Sequence, residues 1–182
     1  MSSYRLPRWT LSLMAGALIP GVLISNALAQ TNSASLSGDD QKFVQKAAVG
    51  GLTEVALGKI AQQNAASEPV KRFGEHMVQD HTKANADLKK VADAKGVQVP
   101  VTLDGKHQRD VDKFSKLSGA DFDKRYTAYM VDDHKKDIAD FEKAAKSGSD
   151  AEVRGFASKT LPTLQMHLKM AQDAQAAVKG TK

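Results

Sequence analysis

Met77-Val78-Gln79-Asp80-His81 and Met130-Val131-Asp132-Asp133-His134 are two nearly matching stretches about half a chain apart. In each, a Met stands four residues before a His, one turn below it on a helix. An aromatic residue, Phe73 or Tyr126, stands four before each Met. The pattern aromatic, Met, His therefore runs along one helical face twice, and it predicts two long helices with their apolar faces turned to a common core.

Working outward, the apolar seam of the first of these helices is Val70, Phe73, Met77, His81, Ala84, Leu88 and Val91. Ser67-Glu68-Pro69 is a start signal for it, and Gly96 a stop. The seam of the second is Phe122, Tyr126, Met130, His134, Ile138, Phe141 and Ala145, with Ser118 expected to cap it and Asp121 completing a capping box. Upstream, Phe43, Ala47, Gly50, Glu54, Leu57 and Ala61 recur at alternating steps of four and three. Gly50, Gly51 and Gly58 in that helix weaken it by about 1 kcal/mol each and are expected to admit a neighbouring backbone. Downstream, Val153, Phe156, Thr160, Leu164, His167, Ala171, Ala174 and Val178 form a fourth seam, interrupted by Pro162, which should kink the helix without ending it. Four helices of roughly 27 to 29 residues, each ~40 Å long, result.

The first and last pairs are joined by short turns. The middle pair is joined by roughly 22 residues, Gly96 to Leu117, enough to cross the bundle's length, with a short amphipathic helix over His107 to Leu117 that turns Val111 and Phe114 inward. The expected fold class is all-α: a ferritin-like four-helix bundle with a long crossover carrying a short helix between its second and third long helices. A simple up-down bundle with a decorated loop is the alternative.

The N-terminus reads differently. Arg5 and Arg8 precede an apolar stretch, Leu11 to Leu28, that ends in Ala27-Leu28-Ala29. This is the pattern of a secretory signal peptide cleaved after Ala29, with a retained membrane anchor as the competing reading. The expected organisation is a signal peptide over 1–29, a flexible leader over 30–38 and the bundle domain over 39–182. Two of the 26 Lys and Arg leave with the signal and none of the 21 Asp and Glu, so the remaining chain carries 24 − 21 = +3. That mild charge, with export, argues against nucleic-acid partners. The absence of Cys excludes disulfides and thiolate metal sites. No second long apolar run follows, so no transmembrane span is expected after signal removal.

Each seam holds one residue able to ligate a metal: Glu54, His81, His134 and His167. Each lies near the middle of its helix, and midpoints stay level whichever way a helix runs. The four side chains should therefore project inward at one height. Three imidazoles and a carboxylate suit one transition metal ion, Zn, Fe, Mn or Cu. Met77 and Met130, one turn from a His, and Met166 and Met170 beside His167 would favour Cu(I) if they ligate; as packing they are ordinary core residues. The same four polar groups could satisfy one another without a metal, Glu54 accepting from two His donors. Asp80 and Asp133, turned about 100° from the adjacent His, are either supports for a neighbouring helix's His or solvated acids, the second being favoured. His76 and His107 read as surface residues. No nucleophile motif or phosphate loop is present.

The exported leader, Glu54-x-x-Leu57-Gly58-x-x-Ala61, Met77-Val78-x-Asp80-His81, Tyr126-x-x-x-Met130-Val131-x-Asp133-His134 and Leu161-Pro162-x-x-x-x-His167-Leu168 together resemble the bacterial ferritin-like family of exported proteins of unknown function numbered 4142. The resemblance covers about Asp39 to Val178. It implies a ferritin-like fold and a periplasmic or outer-membrane-associated location, and no established activity. The di-metal members of the wider ferritin-like group use Glu-x-x-His pairs. Val78, Val131 and Leu164 stand three residues before the histidines instead. The bridging carboxylates that two metals need are thus missing from these positions, and di-metal chemistry is not expected. The leading expectation is a non-enzymatic exported bundle holding one metal ion, with a role in envelope stress or metal handling. A mononuclear metal oxidoreductase acting on reactive oxygen and a metal-free structural or interaction module are the alternatives.

Overall fold

The computed structural model describes residues 35–180. The signal peptide and most of the leader expected from the sequence lie outside the described residues. Five helices follow in order: α1 (Gly38–Asn64), α2 (Glu68–Ala94), α3 (Gly105–Ser115), α4 (Gly119–Ser147) and α5 (Ala151–Gly180). Among the described residues there is no strand, only an isolated bridge between Ala65 and Gly119. The protein is a helical bundle.

Contacts at the helix ends fix the course of the chain. Ala65, just past α1, pairs with Gly119 at the start of α4. At the opposite end, Gln45 in α1 donates to the carbonyl of Gln98, just past α2. The connection from α2 to α4 therefore runs the length of the bundle and carries α3 with it. α1 and α5 run one way, α2 and α4 the other. α1 packs against α2 and α4, and α5 packs against the same two. Each helix thus has antiparallel neighbours on both sides.

Two buried aspartates fasten the two ends. The Asp123 carboxylate on α4 accepts from the backbone N–H groups of Ala66 and Ser67 in the α1–α2 turn. The Asp40 carboxylate on α1 accepts from Ser149 and Asp150 in the α4–α5 turn. Both are nearly inaccessible, at 2% and 3% exposure. Each satisfies amide groups that would otherwise be stranded at a helix start. This corrects the capping expected of Ser67 and Ser118, whose side chains make no capping hydrogen bond. Asp123 binds the amides of Ala66 and Ser67 just before α2, and Asp121, assigned to the capping box, pairs with Arg125. α5 is capped by Asp150, which accepts from Glu152 and Val153, and it continues unbroken through Pro162.

The buried face of α1 is displaced from the expected seam. Val44, Ala48 and Gly51 are buried, whereas Phe43, Ala47 and Gly50 lie at the flank. α1 packs against α3 as well as α2 and α4, so its buried stripe is wider than a single seam. Phe43 still packs edge-on against Phe141 of α4, with ring centroids 4.9 Å apart. Of the three glycines, Gly58 has the expected use: a Cβ there would lie 2.7 Å from the carbonyl oxygen of Gly74 on α2. Gly51 instead faces the Asn85 side chain, and Gly50 meets nothing within 4 Å. The residues read as a leader end in a packed one, since Leu36 is buried in the core and Ser37 caps α1.

The core comes in two apolar clusters. One gathers Leu57, Phe73, Met77, Phe122, Tyr126 and Met130 with Phe114 of α3. The other gathers Val44, Leu88, Phe141, Val153, Phe156 and Leu164. Along every long helix, the residue between the two clusters is polar: Glu54, His81, His134 and His167.

Candidate metal centre

A 3.6-residue turn that carries apolar residues inward above and below must carry the intervening side chain inward too. The polar layer follows from that. Glu54, His81, His134 and His167 are 2%, 5%, 0% and 0% exposed. The three imidazoles surround one point, with ring centroids 5.2 Å apart for His81–His167, 5.5 Å for His134–His167 and 6.0 Å for His81–His134. One nitrogen from each lies within 4.8 Å of the other two. Donors around a tetrahedral zinc at about 2.1 Å would stand roughly 3.4 Å apart, so a modest side-chain contraction would bring the three into bonding range.

Each ring is held by its other nitrogen. His134 Nδ1 lies 3.0 Å from the Met130 carbonyl oxygen, one turn earlier. His167 Nε2 lies 2.9 Å from Asp80 Oδ2 on α2. His81 Nδ1 lies 2.9 Å from Glu54 Oε2 on α1. A carbonyl can only accept, so a neutral His134 keeps its proton on Nδ1; His167 and His81 keep theirs on Nε2 and Nδ1 when the carboxylate beside each is ionised. Their remaining nitrogens, His81 Nε2, His134 Nε2 and His167 Nδ1, carry lone pairs, and all three are buried with no hydrogen-bond partner. Glu54 Oε1 is likewise buried and unpartnered, 3.5 Å from His134 Nε2.

Burial holds the three histidines neutral. It pulls His81 down to about 4 and His134 to about 3, the latter helped by the neighbouring His81 and His167. His167 falls to about 4, again through burial and His81, with Asp80 opposing. Burial pushes Glu54 well above the usual carboxylate range, and Asp133 adds to it. The contacts between Glu54 and the histidines are thus not pairs of full charges when no cation is present. A cation placed among them would reverse the balance by favouring the carboxylate and bonding to the free nitrogens.

The aspartates depart from their favoured sequence reading. Asp80 is no solvated acid, because its carboxylate orients His167 from the neighbouring helix. Asp133 is half-buried, and one of its oxygens lies within 4.8 Å of oxygens from Glu54 and Asp137. Asp137 was not legible as part of the centre. It stands three residues after His134 and four after Asp133, which puts it on the α4 face toward α1. Its carboxylate thus follows His134 by three residues, and the position three before His134 is Val131. Burial, Glu54 and Asp133 push Asp137 up to about 8.

Met77 and Met130 are wholly buried in the apolar cluster that contains Phe73 and Tyr126. Met166 is 45% exposed, and Met170 packs at the edge of the same cluster. His76 is exposed, as expected, while His107 is half-buried and lies 2.8 Å from Asp104. A void of about 20 Å³ adjoins the layer, lined by Gly50, Glu54, His81, Asn85, Asp137 and Thr160 among others. That is room for about one water molecule. A surface cleft of about 310 Å³ lies at the far ends of α1 and α4 among Lys42, Lys46, Asp140 and Lys143, away from the histidines.

The family described as Domain of unknown function (DUF4142) matches residues 25–174. No curated protein matches. Among solved structures, a DUF305 fragment from Deinococcus radiodurans aligns with a TM-score of 0.68 at 12% identity, covering 79% of this chain and 99% of its own. A DUF305 protein from Streptomyces coelicolor, whose description proposes that it is secreted, aligns with a TM-score of 0.65 at 13% identity, covering 78% of this chain and 94% of its own. At such identities the likeness is one of fold.

Proposed function

Since this chain belongs to the DUF4142 family, whose description carries no activity, its role must be drawn from its own residues, and we propose that it is an exported bundle that holds one transition metal ion. The ligands are His81 Nε2, His134 Nε2 and His167 Nδ1, with Glu54 as the fourth donor. One observation carries this reading: three buried imidazoles each bring a nitrogen within 4.8 Å of the other two, and each has one nitrogen held and one without a partner. The donor set suits Zn, Fe, Mn or Cu. Met77 and Met130 act as packing.

Other parts of the proposal rest on separate grounds. The single long crossover between parallel α2 and α4 supports a ferritin-like classification of the bundle. A signal peptide over 1–29, a leader over 30–38 and a domain over 39–182 support a periplasmic or outer-membrane-associated location, in envelope stress or metal handling. In keeping with it, no helix among the described residues is long and apolar enough to cross a membrane. The water-sized void and the burial of the histidines favour holding a metal over turning over a substrate.

Metal analysis of protein purified from the periplasm, followed by titration of the stripped protein with Zn²⁺ and Co²⁺, tests the reading. One equivalent is expected, with the Co²⁺ form showing the visible absorption of a low-coordinate nitrogen site. His81→Ala and His134→Ala should lose both the metal and its stabilising effect on thermal unfolding. Unchanged metal content and unchanged metal-dependent stability in both variants would refute it in favour of a metal-free polar layer.

A further inference from the structure

Beside the histidine cluster lies a second group of donors. One oxygen each from Glu54, Asp133 and Asp137 lies within 4.8 Å of the other two. Glu54 is buried, and the aspartates are half-buried between it and solvent. Neither Asp133 nor Asp137 forms a hydrogen bond or an ion pair with Lys or Arg among the described residues. The nearby Lys46 is engaged by Asp140 instead. Helix geometry accounts for the grouping. Asp133 and Asp137 are one turn apart on α4, on the side that faces α1, and Glu54 comes from α1 to meet them.

A second observation brings in a residue outside the acids. The water-sized void is lined by His81 as well as by Glu54 and Asp137. His81 is only 5% exposed, and its Nε2 has no partner. Glu54 Oε1 has no hydrogen-bond partner either. Space for one small particle thus adjoins two of the three acids, Glu54 and Asp137, together with His81, while Asp133 stands outside its lining.

We infer that Glu54, Asp133 and Asp137 form a second cation site, for a divalent ion that prefers oxygen donors, and that Glu54 is shared with the histidine site. The inference rests on the histidine layer being a metal site to the extent that Glu54 joins the two. Three oxygen donors, two of them close to solvent, suit Mn²⁺, Mg²⁺ or Ca²⁺ with water completing the shell. Three imidazoles suit Zn²⁺ or another nitrogen-seeking ion. The pair of sites would thus differ in the metals they select. Glu54 would supply the bridging carboxylate, and Asp133 and Asp137 the charge that the second ion needs. The carboxylates missing from the positions before each His are provided after and beside His134.

The experiment uses the full processed chain, stripped of metal. One equivalent of Zn²⁺ is added, then Mn²⁺ is titrated while its free-ion EPR signal is followed. Wild type should take up one Mn²⁺ in addition to the Zn²⁺. Asp133→Asn/Asp137→Asn, nearly isosteric with wild type, should keep the Zn²⁺ and bind Mn²⁺ at least tenfold more weakly. Asp140→Asn, which alters the acid paired with Lys46, should bind both as wild type does. No Mn²⁺ uptake by the Zn²⁺-loaded wild type, or equal uptake in the double Asn variant, overturns the second site while leaving the histidine site standing. If instead Zn²⁺ fails to bind but Mn²⁺ binds and is lost in the double variant, the histidine reading falls and the carboxylate site survives on its own. If wild type binds neither ion, both fall.

Discussion

Asp80 of α2 reaches across to α5 and holds His167, with its Oδ2 2.9 Å from the ring's Nε2. The residue beside His81 in sequence thus serves a different histidine in space. One step along a helix rotates a side chain by about 100°, so His81 faces the bundle axis while Asp80 faces the neighbouring helix. The pairing leaves His167 Nδ1 as the free nitrogen of the cluster.

Removing that support should weaken the metal site without destroying it. Asp80→Ala is expected to lower Zn²⁺ affinity about 10- to 100-fold, the usual effect of removing a carboxylate that orients a ligating His. Competition with a chromophoric chelator measures it. An affinity equal to wild type would mean that Asp80 does not orient a ligand.

The metal-free protein should show opposing pH dependences. The buried histidines, at about 3 to 4 in the fold against about 6.5 unfolded, bind protons more readily when unfolded, so they make stability fall as pH drops from about 6.5 toward 4. Asp137, raised to about 8, binds its proton more readily when folded, so its contribution grows as pH falls from 8 toward 4. Asp137→Asn removes that opposition. Between pH 7 and pH 5, in EDTA, the variant should lose more stability than wild type, by at most about 1.4 kcal/mol per pH unit. Urea denaturation at the two pH values is the measurement, and equal losses would contradict the raised affinity of Asp137 for its proton.

Two glycines on one helix should respond in opposite directions. Gly58→Ala would place a Cβ 2.7 Å from the Gly74 carbonyl oxygen and 3.0 Å from Met77 Cβ. Forcing α1 and α2 apart there should cost about 1 to 3 kcal/mol. Gly50→Ala meets nothing within 4 Å and should gain about 0.5 to 1 kcal/mol from helix propensity. Urea midpoints in one buffer compare the two, and a neutral Gly58→Ala would show that the helix pair is not in tight contact.

Asp40 and Asp123 should act as independent fasteners. Each alanine replacement strands two backbone N–H groups at a turn, one of them on a half-buried residue, and should destabilise by about 1 to 3 kcal/mol. The two sites lie at opposite ends of the bundle, so the double variant should show the sum within about 0.5 kcal/mol. Asp123→Asn, which keeps one accepting oxygen, should recover part of the loss. Thermal or urea unfolding of the set checks both the size and the additivity.

Some of this was readable residue by residue. The start signals at Glu68-Pro69 and the stop at Gly96 fell close to the ends of α2, and the inward faces of α2, α4 and α5 follow the apolar spacing. The long crossover and its short helix were legible in the length and amphipathicity of the connection. The face of α1 departs from its seam, because α1 meets α3 as well as two long helices and buries a wider stripe.

What the sequence determined by itself is periodic: four helices, their inward faces, and one polar residue at the middle of each. Period and midpoint depend only on the local geometry of a single helix, so they survive without knowledge of its partners. Only the tertiary structure decided which side chains meet across helices. That Asp80 serves His167, that Asp137 joins Asp133 and Glu54, and that Asp123 caps a turn more than fifty residues away depends on which helices are neighbours and how they are rotated. A single helix's sequence carries no term for either.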